Sequence, residues 1–336
     1  MNTLLIFDGS SILSTHYYGT LPKEVLMAKT LEEKEKEYCK ILQTKDGIYT
    51  NGVFSMLRSF LKMIDIIQPS HIAICFDVSR NTFRKELYTE YKSNRKETPS
   101  PLKEQFILAE QIFEKIGVKT LYDKNFEADD LVGSITRKFE REIPVVILTK
   151  DRDYYQLVSS NTTLWLMQSK LEKQEELLAK YHISGYFPEK SVPFDINRVK
   201  AETGVYPCQI PDLKGLQGDI ADNIPGVKNI SSVASILLSL HNSIEEMYSF
   251  IENTNKKEVV EFWKKNEIKR SPFTALTKSE ENYDAKKMAL LSKQLATIKT
   301  DINISYSLSD FVCKINIEEL KRICKQYEFH SLLKTL

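Results

Sequence analysis

The sequence predicts an α/β fold in which a central, mostly parallel sheet is flanked by helices and followed by a helical C-terminal part. Short, mostly apolar runs at residues 4–7, 72–76 and 145–148 have the length and composition of buried parallel strands. Helical periodicity fills the intervals between them, as expected of strand–helix–strand units. Beyond this region the pattern is helical. We therefore expect a sheet domain at 1–191 and a helical domain at 192–336.

The remaining elements are each predicted from a local pattern. Residues 51–67 place apolar side chains at helical spacing. Ser100-Pro101 supplies an N-cap followed by proline at the first helical position, so another helix begins there. Residues 23–46 are charged and helix-prone, which indicates a solvated surface excursion. Two further strands and a short helix are predicted at 118–122, 164–167 and 154–157.

Aspartates follow each of the three apolar runs. Asp8 and Asp77 come directly after the first two runs, and Asp151 and Asp153 follow the third. A single aspartate at such a place is usually a helix cap or a turn former. Because ligands of open α/β sheets bind outside the carboxyl ends of the strands, we expect these four side chains to meet at one edge.

A further group of carboxylates begins an amphipathic helix. Glu127, Asp129 and Asp130 precede apolar residues at helical spacing. Taken alone, they indicate a helix start matched to the helix dipole. This helix is entered from the same edge of the sheet, so its carboxylates would join the four strand-end aspartates. Carboxylates in such number repel one another unless cations lie between them, which predicts a hard-metal site.

Composition and charge exclude several classes of protein. The formal charge of +1 excludes a chain that is basic throughout, so any positive surface must be local. The five cysteines are scattered without a CxxC pair, which indicates reduced thiols rather than a disulfide partner or a zinc site. No apolar run is long enough for a membrane helix, and no cationic leader precedes the first strand. We expect a cytoplasmic protein.

The basic segment, residues 80–98, alternates cations with aromatic side chains and has few aliphatic residues. Two interpretations are equally compatible with its composition. It is either an exposed loop with scattered charge, or a mobile cover whose cations bind phosphates and whose aromatic rings bind bases. The residues concerned are Arg80, Phe83, Arg84, Lys85, Tyr88, Tyr91, Lys92, Arg95 and Lys96.

Residues 212–240 predict two helices joined by a turn. Asp219 and Asp222 stand at the turn, followed by Asn223, Pro225 and Gly226. This layout generally presents backbone N–H groups to a phosphate chain. A plain helical hairpin with a capped end is the alternative interpretation.

Six ordered segments resemble the 5′-nuclease region of bacterial DNA polymerase I and the stand-alone 5′–3′ exonucleases and flap endonucleases. The resemblance extends over nearly the whole chain and implies a PIN/resolvase-like 5′-nuclease fold followed by a helix–hairpin DNA-binding motif. The segments are FDGSS at 7–11, FD at 76–77, FRKELYTEYKSNR at 83–95, EADDLVG at 127–133, TKDRDYYQL at 149–157 and GDIADNIPGV at 218–227.

The resemblance also implies roles for individual residues. Two or three Mg²⁺ or Mn²⁺ ions would lie between two carboxylate groups, and the basic segment would be the family's helical arch over a 5′ single strand. In that arch, Arg84 and Lys92 would be catalytic, and Tyr91 and Arg95 would bind DNA. The first carboxylate group is Asp8, Asp77, Glu127, Asp129 and Asp130, and the second carboxylate group is Asp151, Asp153, Asp219 and Asp222.

The sequence departs from the family pattern in the hairpin and near its start. Where the family reads Gly-Val-x-Gly-Ile-Gly-x-Lys-Thr-Ala, this chain has GVKNISSVAS at 226–235. Two glycines and the lysine are missing, so we expect weaker duplex binding and little stimulation by K⁺. Residues 24–45 look inserted, and Thr15 replaces a common arginine. The DNA-contacting positions of this turn would be Gly226, Lys228, Asn229 and Ser231.

These features predict a monomeric, metal-dependent 5′–3′ nuclease that acts on DNA with a free or flapped 5′ end, in repair or in primer removal during replication. A non-catalytic protein that binds branched DNA is the first alternative, but such a protein gains nothing from carboxylates that face phosphates. The nuclease part of a DNA polymerase I is the second. The 336 residues leave no room for a polymerase domain, so a free-standing nuclease is expected.

Overall fold

A six-stranded sheet organises the first half of the chain in the computed structural model, which describes residues 2–336. The strand order is β3-β2-β1-β4-β5-β6. The first five strands are parallel and the sixth is antiparallel. The bounds are β1 Leu4–Asp8, β2 His71–Asp77, β3 Lys119–Asp123, β4 Val145–Thr149, β5 Thr162–Met167 and β6 Ser191–Phe194; β7 Ser279–Glu280 and β8 Tyr283–Asp284 form a separate small sheet.

Helices cover both faces of this sheet, so the predicted α/β fold with a helical C-terminal part is confirmed. The longer helices are α1 Gly9–Gly19, α4 Asn51–Ile67, α6 Ser100–Lys115, α7 Ala128–Phe139, α8 Leu171–Lys180, α12 Ile244–Asn253, α13 Lys256–Lys265, α15 Ala285–Ala296 and α16 Ile317–Gln326. The shorter helices are α2 Lys23–Met27, α3 Leu31–Glu37, α5 Phe83–Leu87, α9 Ile196–Thr203, α10 Ile210–Gln217, α11 Ala234–His241, α14 Phe273–Leu276 and α17 His330–Leu333.

The pleat of β1 separates two hydrophobic cores. Leu5 and Phe7 face a core built with α1, α4 and α6, whereas Leu4 and Ile6 face a core that includes α7 and the C-terminal helices. Alternate residues of a strand point to opposite faces, which explains why this run is apolar throughout. β2 pairs on one side of β1 and β4 on the other. The chain order therefore reverses at β1, where open α/β sheets bind their ligands.

Two segments extend across the predicted domain boundary. β6 pairs with β5 through residues 191–194, so the sheet continues beyond residue 191. Pro193, which has no N–H to donate, lies on this edge strand. At the other end of the chain, Leu320 and Ile323 of α16 pack into the core of α1 and α4. The division into domains 1–191 and 192–336 stays a prediction.

The excursion at 24–45 forms α2, α3 and a short 3₁₀ turn at Tyr38–Lys40, and most of it is exposed. A capping box between Thr30 and Glu33 begins α3. The five cysteines have free thiols. Within residues 2–336, no helix combines the length and the apolar composition required to span a bilayer.

Candidate active site

Asp8 and Asp77 lie at the carboxyl ends of the neighbouring parallel strands β1 and β2. Asp8 caps α1 by accepting from the Ser11 N–H at 3.0 Å, and its second oxygen accepts from the Thr149 hydroxyl at 2.7 Å. Burial raises the pKa of Asp8 to about 6. Asp77 accepts from the Ala128 N–H at 2.8 Å, which ties the end of β2 to the start of α7. The end of β2 and the start of α7 therefore lie side by side at this edge of the sheet, and the predicted gathering of all these carboxylates stays a prediction.

Arg84 and Asp130 form a bidentate ion pair beneath the site. Two guanidinium nitrogens of Arg84 lie 2.7 Å from the two Asp130 oxygens, and both side chains are almost completely buried. Arg84 also donates to the carbonyls of Leu295 and Thr297, both at 2.9 Å. This position does not agree with the prediction that Arg84 contacts a substrate phosphate, because Arg84 is 1% exposed and its donors already have partners.

The contacts of Asp130 do not agree with its predicted role as a metal ligand. Besides Arg84, Asp130 accepts from the backbone N–H groups of Glu127 at 3.1 Å and Lys299 at 2.8 Å. Each of its oxygens thus accepts two hydrogen bonds and has no lone pair left for an ion. In this conformation Asp130 holds Arg84 and the segment after α15 rather than facing the site.

Asp129 differs from its neighbour in having an unused oxygen. Its Oδ1 atom is buried and has no hydrogen-bond partner within residues 2–336. Burial raises the pKa of Asp129 well above its ordinary value, and the nearby Arg84 charge only partly opposes this. Arg84 lies 4.0 Å from this oxygen, too far for a hydrogen bond, and a buried carboxylate oxygen that accepts no hydrogen bond is costly unless a cation comes closer. Asp129 is therefore the clearest candidate in the first carboxylate group for contact with an ion.

Lys92 brings the basic segment to the carboxylates. Its ammonium lies 2.8 Å from Glu127 and 3.7 Å from Asp222, which belong to the first and the second carboxylate group respectively. Arg95 pairs with Asp222 as well. Although burial alone would raise it, Lys92 and Arg95 hold the pKa of Asp222 below its ordinary value. Lys92 is thus in a position to reach a phosphate bound between the two groups.

Tyr91 lies inside rather than on the surface. Only 4% of it is exposed, and it packs with Ile224, Leu295 and Ala296. Its hydroxyl donates to Glu127 at 3.1 Å. The prediction that Tyr91 stacks on a DNA base does not agree with this burial. The basic segment has one short helix, α5, followed by turns, and it packs better than its composition suggested because its tyrosines supply the apolar contacts.

The second carboxylate group surrounds Lys214, a residue that the sequence analysis missed. The Lys214 ammonium contacts Asp153 and lies 2.6 Å from Asp219. Burial raises the pKa of Asp153 to about 7, and the Asp151 charge adds to this rise. The sequence offered one indication of this role, a lysine near the end of the predicted helix and five residues before Asp219. A cation there neutralises two carboxylates of the group.

A cavity of about 510 Å³ opens beside this group. Among its lining residues are the cations Lys150 and Arg152, for which no ion pair is formed among residues 2–336. Ser11 lines the same cavity and accepts from the Lys150 N–H at 3.3 Å. The space lies outside the carboxyl end of β4, where a strand-edge ligand is expected.

No three acidic, histidine or cysteine side chains of residues 2–336 converge as a ready metal site. Five of the carboxylates instead form ion pairs with arginine or lysine side chains: Asp130, Glu127, Asp222, Asp153 and Asp219. The donors nevertheless fit a hard divalent cation, because they are all carboxylate oxygens and one of them, on Asp129, is buried and accepts no hydrogen bond. Lys92 and Lys214 would have to move aside for such an ion.

The hairpin between α10 and α11 forms despite its missing glycines. Asn229 adopts φ +63, which asparagine tolerates better than most residues. Lys228, Asn229 and Ser231 are exposed at this turn, whereas Gly226 is buried. A Cβ on Gly226 would lie 2.2 Å from the Gly218 nitrogen, so this glycine serves the close approach of two backbones. The predicted contacts of these residues with DNA stay predictions.

Two family models match the two halves of the chain. The model of the 5′–3′ exonuclease N-terminal resolvase-like domain matches residues 3–182, and that of the 5′–3′ exonuclease C-terminal SAM fold matches residues 205–319. A 5′–3′ exonuclease of Buchnera aphidicola subsp. Baizongia pistaciae is 31% identical over 98% of this chain and 94% of its own length. A DNA polymerase I of Caldicellulosiruptor bescii is 33% identical over 99% of this chain, which spans only 33% of that polymerase.

Solved structures share the fold. The bacteriophage T5 5′-exonuclease with bound zinc superposes with a TM-score of 0.57 at 16% identity, over 88% of this chain and 89% of that chain. A T5 flap endonuclease solved with DNA and metal ions has a TM-score of 0.56 at 14% identity, over 89% of this chain and 90% of that one. At such identity the likeness establishes the common fold.

Proposed function

Because this chain belongs to the 5′–3′ exonuclease family, we propose that it hydrolyses phosphodiester bonds in DNA with a free or flapped 5′ end. The observation that supports this best is the position of Lys92. Its ammonium lies 2.8 Å from Glu127 and 3.7 Å from Asp222, and so stands between two carboxylate groups that are far apart in sequence. A phosphate that enters there meets a cation and the candidate metal ligands at once.

Divalent metal dependence is typical of this family. We propose that Asp8, Asp77, Glu127 and Asp129 hold ions on one side and that the second carboxylate group, Asp151, Asp153, Asp219 and Asp222, holds ions on the other. Bound Mg²⁺ or Mn²⁺ would lower the pKa of a water and neutralise charge on the phosphate. Asp130 is not among these ligands, since Arg84 and two backbone N–H groups occupy its oxygens.

The side chains of the basic segment act on the substrate in this proposal. Lys92 leaves Glu127 for the scissile phosphate and stabilises the charge that develops on it. Arg95, half-exposed beside Asp222, contacts a neighbouring phosphate. The exposed turn at Lys228, Asn229 and Ser231 contacts the duplex backbone, weakly and with little stimulation by K⁺. The chain acts as a monomer, which sedimentation velocity will check.

The test is product analysis on 5′-flap, nicked and blunt DNA labelled at either end. EDTA should abolish cleavage, and Mg²⁺ or Mn²⁺ should restore it. Lys92→Ala should lower the single-turnover rate by about 100-fold, within the range for loss of a preorganised charge. Lys96→Ala, which removes an exposed lysine of the same segment, should leave the rate within about twofold and weaken the salt dependence of binding.

Binding of branched DNA without any cleavage in Mg²⁺ or Mn²⁺ would contradict the proposal and support the alternative of a non-catalytic binding protein. Shortening of the DNA from its 3′ end alone would also contradict the proposal, because the proposed polarity is 5′ to 3′. Asp77→Asn serves as the control for a contaminating nuclease, since any genuine activity should be lost with this strand-end carboxylate.

A further inference from the structure

Two loops from the two parts of the chain are joined by hydrogen bonds beside the candidate active site. One is the turn at residues 90–94 of the basic segment, and the other is the acidic loop, which we define as residues 219–224. The Asn94 amide donates to the Ile220 carbonyl at 2.7 Å. The Asn223 amide donates in the opposite direction, to the Glu90 carbonyl at 2.7 Å and the Ser93 hydroxyl at 3.0 Å.

Neither loop has regular secondary structure to fix it. The turn at 90–94 is held internally by turn hydrogen bonds such as Ser93 N–H to Glu90 O at 3.1 Å. The acidic loop is closed by reciprocal hydrogen bonds between Asp219 and Ile224, both of 2.8 Å. Ile220 is 93% exposed, so its side chain does not anchor the loop. The hydrogen bond from Asn94 to the Ile220 carbonyl therefore joins the exposed end of this loop to its neighbour, beside the ion pairs of Asp222 and the packing of Tyr91 on Ile224.

The joined conformation determines where the Lys92 side chain points. Lys92 has φ +53 and Asn223 has φ +55, both in the left-handed region. Asparagine visits this region readily, but lysine does so at a cost. The Lys92 N–H donates to the Asp222 carbonyl at 2.9 Å, and this bond to the acidic loop helps to keep Lys92 in its unusual conformation. The backbone at Lys92 is thus defined by the loop that contains a candidate metal ligand.

We propose that Asn94 and Asn223 are positioning residues for the reaction: their amides clasp the turn at 90–94 to the acidic loop and thereby hold Lys92 between the two carboxylate groups. The inference rests on the nuclease activity proposed above. Neither amide contacts the substrate in this scheme. Each acts through the backbone of the opposite loop, and so, by way of the Asp222 carbonyl that accepts from the Lys92 N–H, on Lys92.

The first test compares Asn94→Ala and Asn223→Ala with a matched control, Asn253→Ala. Asn253 is an exposed asparagine on α12 whose amide also donates to a backbone carbonyl, that of Ser249, at 2.8 Å. Asn94→Ala and Asn223→Ala should each lower the single-turnover rate on 5′-flap DNA in Mg²⁺ by about tenfold, the equivalent of one net hydrogen bond. Affinity measured by anisotropy in Ca²⁺ should stay within about twofold, and the control should match the original protein in both measurements.

A double-mutant cycle decides whether Asn94 acts through Lys92. In a Lys92→Ala background, adding Asn94→Ala should lower the rate no further, because the group being positioned is gone. A full tenfold additional loss in that background would overturn the proposal.

Hydrogen exchange separates failure of the clasp from failure of the nuclease function. Without DNA, backbone amides of residues 88–96 should exchange faster in Asn94→Ala than in Asn253→Ala. Faster exchange in Asn94→Ala, together with no DNA cleavage by the original protein, would support the link between the two loops and contradict the proposed nuclease function. If neither the exchange nor the cleavage rate changes in Asn94→Ala, the proposed role of the asparagine amides is overturned.

Discussion

The Arg84–Asp130 pair shows how a charged residue can serve the site without touching the substrate. Arg84 bridges the basic segment, the start of α7 and the carbonyls of Leu295 and Thr297. A buried pair of this kind is costly to break from one side, because the remaining charge is left without a partner. Arg84 therefore helps to place Glu127 and Lys92, which contact each other above it.

This pair gives the first prediction at the residue scale. Mutual repulsion alone would predict that removing any carboxylate stabilises the metal-free protein. Asp130→Ala should instead lower the free energy of unfolding by about 3 kcal/mol, since it removes the bidentate partner of a buried guanidinium and leaves it only the longer contacts with Glu127 and Asp129. Asp129→Ala removes a buried oxygen that accepts no hydrogen bond and lies 4.0 Å from Arg84, so it should cost much less stability in EDTA than Asp130→Ala does. Urea unfolding of both variants in EDTA checks this, and equal destabilisation would contradict it.

Lys214 gives the second prediction at this scale. It neutralises Asp153 and Asp219 and would compete with any divalent ion for them. Lys214→Met should make the metal-free protein less stable and increase the rise in melting temperature on adding Mg²⁺. Lys293→Met is the matched control, because Lys293 pairs with two carboxylates, Asp212 and Glu245, each at 2.7 Å, in the helical part.

The control variant should lose stability without any change in its response to Mg²⁺. Thermal unfolding with and without Mg²⁺ measures both effects. An unchanged Mg²⁺ response in Lys214→Met would show that this lysine does not compete with the ion.

At the scale of elements, the turn at 226–231, where Lys228, Asn229 and Ser231 are exposed, gives a prediction about affinity. Asn229 and Ser231 carry side chains where the family has glycine, so they crowd a phosphate that approaches the backbone. The double change Asn229→Gly with Ser231→Gly should tighten duplex binding by about 1 kcal/mol, the scale of one net hydrogen bond. Anisotropy titration in Ca²⁺, with K⁺ compared against Na⁺, measures this; tight and K⁺-selective binding by the original protein would contradict it.

The basic segment marks the limit of what local composition predicts. Its alternation of cations and aromatics was equally compatible with an exposed loop and with a mobile cover, and Lys92 and Arg95 do reach the carboxylates. Tyr91 is buried, however, because Ile224 and Leu295 from distant parts of the chain complete a small apolar cluster around it. Pairing between positions so far apart in sequence leaves no periodic signal in either segment.

At the scale of the whole molecule, the parallel strands and the edge where the carboxylates gather were predictable from short-range patterns. Apolar runs followed by aspartate define both, and the parallel arrangement brings Asp8 and Asp77 to one edge. The return of α16 to the core of α1 and α4 was not predictable, since its apolar face gives no indication of which surface it covers. Sequence patterns report that a face is buried, but the partner is a property of the complete fold.

Metal and proton should compete for the same carboxylates, and this gives the last prediction. Burial raises the pKa of Asp8 to about 6 and that of Asp153 to about 7 in the metal-free protein. A folded-state pKa above the unfolded value means that stability is present at low pH and is lost as pH rises through the folded pKa. A divalent ion requires the deprotonated form, so it should recover this stability mainly at high pH.

We therefore expect the stabilisation by Mg²⁺, taken as the difference in unfolding free energy with Mg²⁺ and with EDTA, to be larger at pH 8 than at pH 6. Protonation of Asp153 at pH 6 should weaken Mg²⁺ binding by roughly tenfold, or about 1.4 kcal/mol. Burial lowers the pKa of His241, so this residue makes the protein less stable as pH falls. The effect is the same with Mg²⁺ and with EDTA, so it cancels when the two unfolding free energies are subtracted. Equal stabilisation at both pH values and the same Mg²⁺ concentration would show that Asp8 and Asp153 do not bind the ion.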